Sequence, residues 1–184
     1  MAAEVIAAFD AALWRTGWAV VRHEDDGGFT FVAGGSIGSG RKTAKGARAV
    51  ALRDLLLATQ KIVLYPSEPD VVVVEKPGKW ARASLRSSQA AVEALANAQG
   101  VVMAVAGLCG VPCEELEVGV ARQRVLGRSG ADKEAVRFAI RALGLPILER
   151  EDGTPDLDYC DAALLAVASR WDVGRLARTR SQGT

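Results

Sequence analysis

Four carboxylates carry the chemistry open to this sequence. Asp10 closes Val5-Ile-Ala-Ala-Phe, a run that otherwise reads as a buried strand, and Glu75 closes Val71-Val72-Val73-Val74 in the same way. An acid at the end of a buried strand must be paired, protonated or bound to a metal. A lone strand-end Asp is more often a turn former, but a second acid in the same situation is harder to assign to a turn. Asp158 and Asp161 stand three apart near the start of a terminal helix built otherwise from Ala, Leu and Val, so they share a face while Asp156 points elsewhere. Taken alone, this pair equally suits the positive end of a helix dipole. If the two strands are neighbours and the helix crosses their ends, four carboxylates meet at one point, where repulsion is severe unless divalent cations neutralise it. Oxygen ligands of this kind suit Mg²⁺ or Mn²⁺. Two such ions about 4 Å apart would activate water and stabilise the leaving oxygen of a phosphodiester.

The elements that must hold these residues follow from periodicity and breakers. Val5 to Asp10, Gly17 to Arg22 and Gly28 to Ile37 read as a three-stranded antiparallel meander, with Asp-Asp-Gly-Gly between the last two. Ala44 to Gln60 carries apolar residues at helical spacing, and Pro66 and Pro69 break the chain before the valine strand. A second long helical pattern runs from about Ser84 to Leu108. Leu116 to Val120 is a short strand candidate, and a helix from about Ala131 to Leu143 stops at Gly144 and Pro146. Thr154-Pro155, a capping hydroxyl followed by proline at the first helical position, is the expected start of the last helix, which continues to Ser169. The expected class is therefore α/β, a mixed five-stranded sheet with helices on both faces. Residues 1–172 form a single domain and 173–184 a basic, flexible tail.

Asp10 with Arg15-Thr16-Gly17-Trp18, then Pro69-Asp70-Val71-Val72-Val73-Val74-Glu75, then Gly127-Arg128-Ser129-Gly130-Ala131-Asp132-Lys133, and finally Asp158-Tyr-Cys-Asp161-Ala-Ala resemble, in order, the RuvC-type Holliday-junction resolvases. The resemblance spans roughly residues 5 to 170. It implies a ribonuclease H-like fold, a homodimer, and Mg²⁺-dependent nicking of two opposed strands of a four-way DNA junction. The family's acidic cluster carries over to Asp10, Glu75, Asp158 and Asp161, and its catalytic-face lysine to Lys133. The sequence departs from the pattern in three places. Ala11-Ala12 stands where the family commonly has a Pro-Gly turn, Arg122 replaces the upstream lysine, and Trp80 is the nearest match to an aromatic wedge, out of register.

Charge placement points to DNA independently. Twenty-three basic and 22 acidic side chains give a net charge of +1, so no global field announces a polyanionic partner. Locally, Lys76, Lys79, Arg82 and Arg86 lie in a stretch without acids, whereas Glu149 to Asp161 holds six acids against Arg150. Arg122, Arg124 and Arg128 begin a second basic stretch. Both stretches are expected to contact phosphates beside an acidic metal site. Cys109, Cys113 and Cys160 are an odd set far from the single His23, which favours buried thiols over a disulfide framework or a zinc site. No apolar run approaches the roughly 18 residues of a membrane span, and the expected location is the cytoplasm, of a bacterium or of a phage host. The Gly35 to Thr43 segment resembles a phosphate-binding loop, but Arg41 intervenes before Lys42, so no nucleotide cofactor is expected. Beside the junction-resolving endonuclease with two Mg²⁺ per site and Mn²⁺ as substitute, the competing reading is a module on the same fold that binds branched DNA without cutting it.

Overall fold

The computed structural model describes residues 3–38, 47–64, 67–76 and 89–171. The chain opens with a meander of β1 (Glu4–Asp10), β2 (Thr16–His23) and β3 (Phe29–Ile37). Helix α1 (Ala47–Leu64) leads to β4 (Val71–Lys76), and α2 (Gln89–Leu108) leads to β5 (Cys113–Glu117). Three further helices follow: α3 (Val118–Leu126), α4 (Lys133–Ala142) and α5 (Leu157–Ser169). The sheet order is β3-β2-β1-β4-β5, with β1 antiparallel to β2 and β4 parallel to both of its neighbours. This is the mixed five-stranded sheet expected from the sequence.

Period-two alternation divides the core between the two faces. Ala7, Phe9, Val72 and Val74 pack against Leu55 of α1 and Ala98, Val102 and Ala106 of α2. Ile6, Ala8, Val71 and Val73 pack against α5, whose residues from Tyr159 to Ala168 are all buried. Helix α5 is enclosed because α3 and α4 cover its other side, through Ala121, Val136 and Ile140.

Two expectations are corrected. The fifth strand is Cys113–Glu117, and Val118 already begins α3. As an edge strand reading Cys-Glu-Glu-Leu-Glu, it carries charge instead of apolar alternation. Helix α5 starts at Leu157, not at Thr154-Pro155: Thr154 bonds Asp152 Oδ1 in a turn, Pro155 bridges to Glu149, and Asp156 is the cap, accepting from the Tyr159 amide at 3.4 Å. Ala98 of α2 is fully buried against the sheet. Residues 84–88, expected at the start of that helix, lie outside the described residues, as do most of the glycine-rich loop and the basic tail.

Two glycines set how closely α5 lies on the sheet. A Cβ on Gly17 would lie far inside van der Waals contact with the Asp158 carbonyl oxygen, and one on Gly34 would strike the Tyr159 ring at 2.5 Å. The Gly17 obstacle is backbone, which cannot rotate away. Gly17→Ala should therefore cost about 1–3 kcal/mol and lower cleavage by displacing the first turn of α5. Urea denaturation checks the first effect, and an unchanged midpoint would show that the turn tolerates a shift.

Candidate active site

Strand β1 ends at Asp10 and strand β4 carries Glu75 one residue from its end. The parallel register runs Ile6↔Val71 to Phe9↔Val74, and the next pair in that register is Asp10 with Glu75. Even residues of β1 and odd residues of β4 face α5, so both acids project to that side. From α2, the buried Gln99 side chain donates to the Glu75 backbone carbonyl and fixes the end of β4. The Asp10 carboxyl is held well above the usual carboxylate range, first by burial, then by the hydrogen bond and charge of Glu75 and by the charge of Asp161.

The first turns of two helices complete the cluster. Asp161 is buried, 4% exposed, and its carboxylate lies 3.1 Å from Arg122 Nη2 of α3 and 3.2 Å from Lys133 Nζ. Lys133 is the first residue of α4, whose Asp132 cap accepts from the Ala135 amide at 2.8 Å. Its ammonium also lies 3.0 Å from Asp158. Partial burial works against the charge on Lys133, but Asp161, Asp158 and Asp10 outweigh it and raise its pKa. The structure thus brings Asp10, Glu75, Asp158, Asp161 and Lys133 to one end of the sheet.

Among the described residues, no three acidic, histidine or cysteine side chains stand ready-made to hold one ion. Basic groups occupy the oxygens instead, since Asp158 also takes Arg15 at 3.2 Å and Arg150 at 3.1 Å. The donor set nevertheless fits Mg²⁺ or Mn²⁺. Every candidate donor is a carboxylate oxygen, and burial together with the neighbouring Glu75 raises the Asp10 pKa, a cost that a divalent cation would relieve. The Cys160 thiol, next to Asp161, offers no thiolate to such a site, because it is buried in the core and burial pushes it up to about 12.

Of the expected DNA-contacting residues, Lys76 and Arg128 are exposed at the surface. Arg122 is turned inward to Asp161, and Arg124 donates to the Ala168 carbonyl, tying α3 to the last turn of α5. Lys79, Trp80, Arg82 and Arg86 lie outside the described residues. Sequence reasoning missed Arg15, Ser36 and Arg150 at this site. Arg150 had a signal, being the only base in the acid-rich stretch; it is delivered by a tight turn in which its amide donates to the Thr154 carbonyl at 2.8 Å. Arg15, which meets Ser36 at 2.9 Å, stands in the motif that follows Asp10, whereas Ser36 has no signal beyond its place at the end of β3.

No family model matches the chain. It is 30% identical over 167 residues to the crossover junction endodeoxyribonuclease RuvC of Paenarthrobacter aurescens, covering 90% of this chain and 80% of that protein. It is 26% identical over 164 residues to the enzyme of the same name from Rhizobium johnstonii, covering 88% and 86%. Among solved structures, Thermus thermophilus RuvC in complex with a Holliday junction substrate superimposes with a TM-score of 0.72, at 19% identity and 97% coverage of both chains. The yeast mitochondrial Holliday junction resolvase superimposes at 0.61, with 13% identity, 96% of this chain and 82% of that one. These likenesses establish the ribonuclease H-like fold. The 30% identity to the P. aurescens enzyme, over 90% of this chain and 80% of that protein, makes this chain a member of the RuvC family of crossover junction endodeoxyribonucleases.

Proposed function

We propose that this protein is an endonuclease that resolves four-way DNA junctions, with Asp10, Glu75, Asp158 and Asp161 as its metal ligands. The observation that carries the reading is the pairing of Asp10 with Glu75 on adjacent parallel strands, beneath a buried Asp161. A module that only bound DNA would gain nothing from acids that repel both one another and the phosphate backbone. When bound, two Mg²⁺, or Mn²⁺ in their place, supply an activated water and a counter-charge for the leaving oxygen. Asp10 and Glu75 lie at the centre of the ligand set, with Asp161 closing it from α5. Lys133 holds the scissile phosphate and stabilises charge developing on it. Exposed Lys76 and Arg128 contact the DNA backbone, as do Lys79, Trp80, Arg82 and Arg86 beyond β4, and Arg124 adds to that contact from the surface of α3, whereas Arg122 is held inward by Asp161. Residues 1–172 act as one nuclease domain in the cytoplasm. Among the described residues no helix is long and apolar enough to cross a membrane.

One active site cuts one strand, so resolution requires two sites related by a two-fold axis, as in a homodimer on a pseudo-two-fold junction. The layer of α1 and α2 suits that interface, since Leu56, Leu57, Val92 and Met103 on its outer side are 38–46% exposed. A supercoiled plasmid that extrudes a cruciform distinguishes the outcomes. Paired cuts give linear DNA and single cuts give relaxed circles. Wild type should give mainly linear product, and Leu57→Glu with Met103→Glu should shift it to relaxed circles while light scattering shows a monomer. Linear product from a monomer would refute the dimer.

A further inference from the structure

We propose that Arg15 and Arg150 are positioning residues that latch Asp158 in a metal-free posture, so that the ligand set is completed only when a divalent cation displaces them. This rests on the reading of the acid cluster as a metal site. Both oxygens of Asp158 are engaged: Oδ1 with Lys133 at 3.0 Å, and Oδ2 with Arg15 Nε at 3.2 Å and Arg150 Nη2 at 3.1 Å. The strand acid Asp10, by contrast, is dominated by its acidic neighbours Glu75 and Asp161, with Lys133 only a weaker opposing charge. Among the described residues, Asp158 is therefore the one ligand candidate held by three cations.

The latch is built to survive its own opening. A second carboxylate, Asp156, lies behind the arginines, 3.7 Å from Arg15 Nη2 and 3.8 Å from Arg150 Nε. Asp156 is fixed there, 4% exposed, capping α5 and accepting from Ser36 Oγ at 2.7 Å. Ser36 in turn accepts from Arg15 at 2.9 and 3.1 Å, so Arg15 keeps its place without Asp158. The buried Arg150 Nε has no hydrogen-bond acceptor among the described residues, and a small movement toward Asp156 would supply one. When Asp158 turns to an ion, both guanidinium groups thus retain a counter-charge. The arginines raise the ion concentration at which the site fills, because the ion must compete with two cations for one oxygen.

Mn²⁺ binding to the full-length, DNA-free protein, followed by the loss of the free-ion paramagnetic resonance signal, tests this. Arg15→Gln and Arg150→Gln should each tighten Mn²⁺ binding by about three- to tenfold, and the double variant by more. Arg150→Lys, which keeps the charge, should stay near wild type. A merely structural role predicts the opposite sign, since a loosened α5 would bind the ion more weakly. Unchanged or weakened binding in the Gln variants overturns the latch. Should Arg15→Gln fail to fold, as a thermal melt in EDTA would reveal, Arg150→Gln on its exposed turn decides alone. If wild type shows no saturable Mn²⁺ binding, it is the metal site itself, not the latch, that fails.

Discussion

Asp10→Asn and Glu75→Gln should each lower junction cleavage by at least about 10³-fold while leaving junction affinity equal or higher. Each removes an oxygen ligand at the centre of the cluster, and each removes negative charge that faces the phosphate backbone. Asp10→Asn has a second, opposite effect. Burial and Glu75 raise the Asp10 pKa in the folded, metal-free protein. Between the unfolded value near 4 and the raised folded value, the native state binds more protons than the unfolded one, so stability falls as pH rises through that window. Asn cannot lose a proton and carries no charge toward Glu75. Thermal melts in EDTA should therefore show wild type losing stability relative to Asp10→Asn as pH rises above the ordinary carboxylate range, with Asp10→Asn melting higher at the alkaline end of the series. A variant inactive because it is misfolded would melt lower instead, which separates the two causes of lost cleavage.

Lys133→Ala should reduce the rate of cleavage of bound junction by a factor on the order of 100 and change affinity only a few-fold. The residue stands at the first position of α4 with its ammonium between Asp158 and Asp161, 3.0 and 3.2 Å away. Those carboxylates and Asp10 keep it protonated, so it presents a fixed positive charge at the site where a phosphate gains negative charge in the transition state. Single-turnover rates at saturating enzyme report that step apart from binding. If Lys133→Ala weakens binding and leaves the rate on bound junction unchanged, the lysine is an anchor for the DNA and not part of the chemistry.

The acids were legible because burial makes them conspicuous. Val71 to Val74 can be only a buried strand, and the carboxylate that follows must answer to something. The same logic applies to Asp10, and the three-residue spacing of Asp158 and Asp161 puts them on one face of a helix. What stayed hidden lies where local sequence is ambiguous. The edge strand Cys113–Glu117 lacks alternation because its solvent side is charged, and α3 buries only Ala121 and so shows no apolar stripe. Thr154-Pro155 carries the cap-and-proline signature, yet the turn at Gly153, with φ of +76°, carries the chain past it and hands the cap to Asp156. Arg15 and Arg150 are far apart in sequence, and only the packing of the β1–β2 connection and that turn against the first turn of α5 shows that they converge on Asp158.

Incubating the wild-type protein with an end-labelled synthetic four-way junction, in Mg²⁺ and in EDTA, tests the central claim most directly. The account predicts two symmetrically placed nicks and nicked duplex products in Mg²⁺, and bound but intact junction in EDTA. Bound, uncut junction under both conditions, with a protein of normal melting behaviour, would contradict it and leave a binding module on a nuclease fold.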